Sequence, residues 1–360
     1  SDVPPRKIQR IVEDKNGYIW VKTIDRKLYV FNKVTECFHA VYDDMKNYSE
    51  NIQVIKLQNT AEGDVLLLTK DKNLLLAGVD EKGQVTIKIL FDSRDEINKH
   101  DYTLKHHVLC ETEEYISWIG TDYKVSAVHK GAELASRPAD FITSKINSGD
   151  KDSFTSFFED GRKVWVGDRA GIFYSIDVRT GLVNRYVLSE IKGAISNLLV
   201  TPAGYVYLSV AGQGTYEYDL AERRLQKINT EMNDAMVTHA FIDQYDKIWF
   251  HENEKALIYY DPLNHTAKRF PFTMFGKITT LYSEDAGERG LFFLSPAGEA
   301  WLFDREHVEM VYINKLKQLS NDRANQQFYH LMLDNDGVLW LSSADEGVYC
   351  MNFPKKQFNL

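Results

Sequence analysis

The sequence predicts an all-β protein, a single β-propeller of four-stranded antiparallel blades. A repeat of 42 to 51 residues runs through the chain, and one large apolar residue recurs at the same point of every repeat. Convincing helical periodicity is absent outside the longer connections. With 44% hydrophobic and 12% aromatic residues, the 360-residue chain has enough apolar side chains for a large core.

Three segments show the repeat most clearly: Ile8–Tyr42, Phe154–Leu188 and Val237–Phe272. Each contains an apolar strand ending in Asp, a tight turn, an aromatic strand, a polar turn, a third strand ending in Asp or Asn, and a fourth strand. The large residue of the second strand falls at Trp20, Leu67, Trp118, Trp165, Tyr207, Trp249, Phe293 and Trp340. Five of the six tryptophans occupy this position, which chance placement does not explain.

The turns of the repeat carry residues suited to hairpins. Asn16-Gly17 and Asp336-Gly337 tolerate the positive φ that tight turns need. A short polar side chain ends the third strand and can bond the backbone of the turn that follows. These residues are Asn32, Asp80, Asp177, Asp219, Asp261, Asp304 and Asn352.

A single four-stranded sheet of this kind would expose two apolar faces, and a radial arrangement of repeats buries each face against the next sheet. Two stacked sandwiches would not explain the fixed tryptophan position. We therefore expect one domain over residues 1–360, with eight blades favoured and seven as the alternative. The repeat units lie at about 8–42, 52–91, 106–134, 154–188, 194–230, 237–272, 278–312 and 328–360.

Charge and cysteine content exclude several classes of protein. The formal net charge is -9 and no basic run occurs, which disfavours a sequence-independent nucleic-acid binder. Cys37, Cys110 and Cys350 are too few and too far apart for a complete disulfide framework or a CxxC metal pair. No apolar run is long enough to span a membrane.

Motifs of the common enzyme classes are absent, so we expect a non-catalytic chain without cofactor or metal. The sequence contains no HExxH, GxSxG or P-loop pattern, and Gly212-Gln213-Gly214 lacks the third glycine of a dinucleotide loop. The turn at residues 334–337 lacks the remaining ligands of a calcium loop. The 52 carboxylates leave a glycosidase pair open as an alternative.

The repeat resembles a known family. The phrases IVEDKNGYIWVKT (11–23), FFEDGRKVWVGDRAGIFYSID (157–177) and LMLDNDGVLWLSSADEGVYCMNF (331–353) are similar to the two-component regulator propeller repeat. Units one, four, six and eight carry the resemblance most strongly. Unit two departs from it with Leu67 in place of Trp, and unit three lacks the turn glycine.

The resemblance implies a periplasmic sensor region of a hybrid two-component system from gut Bacteroidetes. Such sensors carry two propellers, an immunoglobulin-like domain, one membrane helix and a cytoplasmic histidine kinase, and they act as dimers. They detect oligosaccharides and switch on polysaccharide-utilisation genes. The expected function is therefore a non-catalytic module that binds an oligosaccharide or relays its binding. A spacer propeller that contacts only neighbouring domains is the alternative, followed by a glycan lyase or hydrolase.

Candidate ligand-binding residues come from the loops between the second and third strands, which share one face of a propeller with the blade-to-blade connections. Long connections, which are often functional, occur at 43–51, 92–105, 135–153 and 313–327. The shorter loops contribute Asp25, Arg26, Asp122, Tyr123, Asp168, Arg169, His251 and Glu252. Sugar recognition combines planar polar groups with aromatic surfaces, and arginine supplies a rigid fork of donors. For any single one of these residues we favour the simpler explanation, a polar turn residue that faces water.

A second set of candidates is a polar position within the otherwise apolar first strands. It is occupied by Arg10, His107, Ser156, Asn197, His239 and His330. Because the first strand of a propeller blade is innermost, this position predicts a broken polar ring around a central channel. The ring could bind an anion or a sugar hydroxyl, with histidine titrating near neutral pH. We favour the simpler explanation that these groups satisfy buried backbone atoms.

Overall fold

Antiparallel strands account for almost all regular structure in this chain. The computed structural model describes residues 7–45, 53–70, 73–91, 109–119, 124–131, 141–145, 154–228, 237–275, 281–285, 290–297, 299–313, 328–343 and 347–352. Within these ranges the helices are α1 (Tyr42–Met45) and a 3-10 turn at Phe272–Phe275. No helix in the described part of the chain is long and apolar enough to cross a membrane.

The first four sheets follow the chain in order. Sheet one contains β1 (Ile8–Glu13), β2 (Ile19–Thr23), β3 (Leu28–Asn32) and β4 (Cys37–Ala40). Sheet two contains β5 (Val54–Asn59), β6 (Val65–Thr69), β7 (Leu74–Val79) and β8 (Val85–Phe91). Sheet three contains β9 (Leu109–Glu111), β10 (Tyr115–Ile119), β11 (Lys124–His129) and β12 (Phe141–Lys145). Sheet four contains β13 (Phe154–Glu159), β14 (Lys163–Asp168), β15 (Ile172–Asp177) and β16 (Val183–Val187).

The remaining sheets repeat the same order. Sheet five contains β17 (Ile195–Val200), β18 (Tyr205–Val210), β19 (Gly214–Asp219) and β20 (Arg224–Lys227). Sheet six contains β21 (Val237–Ile242), β22 (Ile248–Glu252), β23 (Ala256–Asp261) and β24 (Thr266–Pro271). Sheet seven contains β25 (Tyr282–Asp285), β26 (Leu291–Leu294), β27 (Ala300–Asp304) and β28 (Glu309–Ile313). Sheet eight contains β29 (Phe328–Leu333), β30 (Val338–Ser343) and β31 (Gly347–Asn352).

Every sheet is a meander in which each strand pairs with its neighbours in sequence. Eight such sheets appear among the described residues, seven with four strands and the last with three. One difference from the sequence analysis concerns the connection predicted at 135–153, because β12 lies inside it and completes sheet three. The third repeat therefore extends beyond the predicted end at residue 134. The connections at 92–105 and 314–327 lie outside the described residues.

The sheets group into two compact units. The terminal unit comprises residues 1–93 and 280–360, and the central unit comprises residues 94–279. In the terminal unit the first strands of consecutive sheets lie side by side: β25 beside β29, β29 beside β1, and β1 beside β5. In the central unit the same holds for β9 and β13, β13 and β17, and β17 and β21. Radial packing on the first strand is therefore present within each unit.

Apolar clusters fill the space between consecutive sheets of each unit. The cluster between sheets eight and one joins the two ends of the chain and contains Ile8, Ile11, Ile19, Val21, Met332 and Trp340. The ring of Phe31 meets that of Trp340 edge-on at 5.7 Å. Sheets one and eight thus share a core, although each is formed from its own end of the sequence. That all eight sheets form one propeller stays a prediction of the repeat count.

A buried hydrogen bond explains why the repeat pairs Asp with Trp. The indole Nε1 donates to an Asp Oδ2 at 2.7 to 3.2 Å in four sheets, through Trp20 and Asp14, Trp165 and Asp160, Trp249 and Asp243, and Trp340 and Asp334. The other carboxylate oxygen accepts backbone amides of the first turn, as Asp14 Oδ1 does from Tyr18 at 3.0 Å. A buried indole N–H needs such an acceptor. In sheet two the pair is replaced as a whole, by Thr60 and Leu66. The sequence-based assignment of this position was wrong by one residue in three sheets, because the strand register places Leu66, Ser117 and Phe292 there rather than Leu67, Trp118 and Phe293.

Six of the seven polar residues that end the third strands bond the following turn as predicted, and the turn after Asn352 lies outside the described residues. Turn amides donate to the side chains of Asn32, Asp80, Asp177, Asp219, Asp261 and Asp304 at 2.8 to 3.2 Å. These bonds fix the start of the fourth strand, because they satisfy amides that would otherwise lack a partner at the turn.

Candidate functional site

The loop candidates of the terminal unit are Asp25 and Arg26, in the turn between β2 and β3. Both side chains are exposed. Asp25 lies 3.2 Å from the ammonium of Lys27, and hydrogen bonds, first from Thr23 and then from Lys27, lower its pKa. Arg26 adopts φ +67, a left-handed conformation that non-glycine residues rarely take. The turn therefore presents an arginine whose neighbouring carboxylate is already paired.

Asp168 and Arg169 lie where β14 turns into β15 in the central unit. The carboxylate of Asp168 is buried and accepts the backbone amides of Ala170 and Ile172 at 2.9 and 2.8 Å. Its side chain is thus engaged by its own turn, whereas Arg169 is exposed. Two further loop candidates, Asp122 and Tyr123, lie outside the described residues, as does His107.

His251 and Glu252 differ from the sequence-based expectation, because they lie within β22 rather than in a loop. Pairing of β22 with β23 continues to Ala256, so the turn starts only after Glu252. Both side chains are buried, and Arg269 donates to Glu252 from Nη2 at 2.8 Å. Burial, and then the charge of His239, lower the pKa of His251 to about 4.

The predicted polar position of the first strands coincides with a β-bulge. In six sheets the register between the first and second strands shifts by one residue, and a polar residue follows the shift. These residues are Arg10, Lys56, Ser156, Asn197, His239 and His330. A bulge re-aims the next side chain, so the same local geometry recurs in each sheet. Sequence reasoning omitted Lys56, although it stands two residues after the first apolar residue of β5, as the others do.

Within the central unit one of these residues satisfies backbone atoms of the next sheet. Asn197 Nδ2 donates to the carbonyl of Val237 at 2.7 Å. The bulge residue Thr155 similarly donates to the carbonyl of Ile195 at 2.8 Å. Asn197 therefore satisfies a backbone carbonyl, which is the structural role that we favoured for this position. In the terminal unit, Arg10 and His330 follow the bulges of the adjacent strands β1 and β29.

A cavity of about 360 Å³ opens between sheets five and six of the central unit. Its wall combines the rings of Tyr205, Tyr207 and Tyr245 with the charged side chains of Glu217, Arg224 and Lys247. The cavity lies at the end of the sheets that carries the turns from first to second and from third to fourth strand. The candidate loops predicted from the sequence lie at the opposite end of the sheets. None of the residues that line this cavity was therefore among the predicted site residues.

The electrostatics of the cavity centre on a buried carboxylate. Tyr207 donates its hydroxyl to Glu217 Oε2 at 2.7 Å, and burial together with this bond raises the pKa of Tyr207. Burial and the same carboxylate raise the pKa of Tyr260, behind the wall, to about 12. Lys247 is paired with Asp261 at 2.8 Å. Glu217 Oε1 makes no hydrogen bond to any described residue and remains able to accept one from a ligand.

One signal in the sequence does point to this cavity. Sheet five has Tyr207 where four other sheets have a tryptophan bonded to Asp, and Thr201 stands where the Asp would be. The tyrosine hydroxyl turns to Glu217 on the adjacent strand instead. The departure of unit five from the repeat thus opens a polar, aromatic space where other sheets are closed by an indole.

A carboxylate cluster in the terminal unit is occupied by a lysine. The carboxylates of Glu13, Asp334 and Asp336 lie within reach of one another, as metal ligands would. Lys33 Nζ donates to all three, at 2.7, 3.0 and 2.6 Å. Burial opposes the charge of this ammonium, but the three carboxylates outweigh it and raise the pKa of Lys33. An internal cation therefore already contacts all three carboxylates and neutralises part of their charge.

Comparison with known proteins identifies the fold. No family model matches the sequence, and no curated protein sequence matches it. The structure is similar to two structures of the extracellular domain of one B. thetaiotaomicron protein, described as a putative one component system and as a putative hybrid two component system. Their TM-scores are 0.52 and 0.51 at 14% identity, over 96% of this chain and 52% of those chains. This chain therefore spans about half the length of that extracellular domain.

Two further similar structures come from other kinds of protein. BamB from Moraxella catarrhalis has a TM-score of 0.59 at 11% identity, over 99% of this chain and 97% of that chain. Virginiamycin B lyase from Staphylococcus aureus has a TM-score of 0.51 at 11% identity, over 81% of this chain and 92% of that chain. At such identities the similarity shows the fold alone. The chain has a β-propeller fold.

Proposed function

We propose that the chain is an eight-bladed propeller module of a periplasmic sensor, which binds an oligosaccharide and relays its binding without catalysing a reaction. In this proposal the parent protein is a dimeric inner-membrane histidine kinase that controls polysaccharide-utilisation genes. The module's neighbours there are a second propeller and an immunoglobulin-like domain. The similarity to the extracellular domain of a putative hybrid two component system supports this proposal.

The observation that carries the binding part of the proposal is the cavity between sheets five and six. Its volume of about 360 Å³ is near the lower end of the range for small-molecule sites, which suits one sugar unit at the end of a chain. Tyrosine rings offer flat apolar surfaces to the C–H face of a sugar. Glu217 and Arg224 offer an acceptor and a fork of donors to its hydroxyls.

Thermal unfolding and calorimetry with a panel of oligosaccharides test the proposal. A ligand that binds only the native state must raise the melting temperature. Tyr245→Ala removes a ring that is 48% exposed, so the variant should fold normally while affinity falls about tenfold or more. The matched control is Tyr312→Ala, which removes a tyrosine that is 38% exposed in the terminal unit.

The outcomes separate the competing functions. If no oligosaccharide binds but the module docks tightly onto a neighbouring domain of the parent protein, it is a spacer. If a glycan mixture releases new products, the chain is an enzyme, an alternative that similarity to a lyase keeps open at the level of fold. Binding that survives Tyr245→Ala unchanged would move the site away from this cavity.

A further inference from the structure

Two cations face each other across the first two strands of sheet one. Arg10 in β1 and Lys22 in β2 are direct cross-strand partners. Like charges at such positions destabilise a sheet. Lys22 is only 5% exposed, and its ammonium donates to the amide oxygen of Gln9 rather than to a carboxylate. A buried ammonium without a counter-ion is costly, so this arrangement needs an explanation.

The guanidinium of Arg10 has no ion pair within the described residues either, although the charge of Glu284 in β25 acts on it. It makes no hydrogen bond and no ion pair with any residue that the structure describes. The residue reaches solvent, yet surrounding protein lowers its pKa through burial. Protein thus surrounds much of the guanidinium, while part of the residue stays open to solvent. Its five N–H donors are therefore available to a ligand.

A third cation, Arg26, lies just beyond the end of β2. Burial, and then the charges of Arg26 and Arg10, lower the pKa of Lys22 to about 8, so both arginines act on this ammonium. The neighbouring Asp25 does not neutralise Arg26, because it is paired with Lys27. The cations are thus concentrated on one part of the terminal unit.

The neighbouring first strands add one carboxylate and one histidine. Burial raises the pKa of Glu284 in β25 to about 7, even though the charge of Arg10 lowers it. Near neutral pH this carboxyl is therefore only partly ionised. Burial, and then Arg10, lower the pKa of His330 in β29 well below its usual value, and its Nδ1 is buried without a hydrogen-bond partner. The surroundings leave an excess of positive charge.

We propose that Arg10, Lys22 and Arg26 form a binding site for an oxyanion, such as the carboxylate of an acidic sugar or a free inorganic anion. The planar fork of an arginine suits the two oxygens of a carboxylate, and an ammonium adds a point charge. An anion bound there supplies the counter-ion that Lys22 lacks. The inference is independent of the proposed function, since it uses residues of the terminal unit only.

The test uses the full chain with glucuronate, sulfate and phosphate as probes, and sodium chloride at matched ionic strength as the reference. We expect one or more of the oxyanions to raise the melting temperature above the chloride reference. Arg10→Gln and Lys22→Met should each weaken binding by about tenfold or more, since each removes a charge-assisted hydrogen bond. Lys82→Met is the matched control, because it removes an exposed cation of the terminal unit from the turn between β7 and β8 and should leave binding unchanged.

Two further measurements complete the test: the melting temperature without anion and the relative affinities of the three oxyanions. Without anion, Lys22→Met should melt at or above the temperature of the wild type, because the variant no longer buries an unpaired charge. If it melts lower and no oxyanion binds the wild type, Lys22 has a structural role and the inference is wrong. Equal affinity of the anion for Lys82→Met and Arg10→Gln would also overturn it. Tighter binding of glucuronate than of sulfate or phosphate would identify an acidic sugar as the ligand class.

Discussion

The buried imidazole of His251 should make the central unit sensitive to mild acid. Its pKa is about 4 in the folded protein, against an ordinary value of 6.5 that the unfolded chain regains. Between these two values the unfolded chain takes up a proton that the folded chain does not. Stability is therefore fully present above pH 6.5 and falls as the pH drops toward 4. From pH 7 to pH 5 the loss attributable to this group is about 2 kcal/mol.

The assay compares the wild type with His251→Phe by urea unfolding at pH 7 and pH 5. A phenyl ring keeps the contact with Phe272, whose ring lies 5.6 Å from the imidazole, but it cannot be protonated. His239, whose pKa burial also lowers, is present in both proteins and cancels in the difference. We expect the wild type to lose about 2 kcal/mol more than the variant over this interval. Equal losses would refute the reasoning, because the imidazole would then be protonated as easily in the folded state as in the unfolded state.

Three more substitutions test other parts of the structure by chemical denaturation. Trp20→Phe should cost about 1–3 kcal/mol, because it leaves a buried oxygen of Asp14 without its donor; a smaller cost would show that water replaces the indole. Lys33→Met should cost about 3 kcal/mol at neutral pH, because it leaves the buried carboxylates of Glu13 and Asp334 without their cation. The cost should be smaller in acid, where these carboxylates are protonated, and a pH-independent cost would contradict this. Gly171→Ala should cost more than about 1 kcal/mol, because φ at this position is +80 and the new Cβ would lie 2.9 Å from the carbonyl oxygen of Ile191. An unchanged free energy of unfolding would show that the turn can relax.

The sheets could be predicted from the sequence because several repeats carry the same local pattern and the others keep its alternation of strands and turns. An Asp at the end of the first strand, a glycine-containing turn and a Trp in the second strand come together through one hydrogen bond, as in Asp160 and Trp165. The fourth strand of sheet three escaped prediction, because Phe141–Lys145 has neither that pair nor a glycine turn to mark its bounds. Its position depends on pairing with β11, which is set by tertiary contacts.

The candidate site could be predicted only in part. His251 and Glu252 read as loop residues because they are polar and follow an apolar run, but pairing with β23 extends the strand over them. The cavity is formed by turns of two different sheets, and no single repeat contains its pattern. The bulges could not be predicted from the sequence. Six repeats carry the extra residue at the same place, so an alignment of the repeats shows no gap there.

The recurring bulge also affects how such a protein can change. In each of six sheets it turns one side chain away from the alternation that builds the core, and five of these six side chains remain at least partly accessible to solvent. A mutation there alters the chemistry offered to small molecules while the apolar contacts between sheets stay intact. Each repeat can therefore acquire a new polar group independently, so ligand preference can evolve stepwise on an unchanged scaffold.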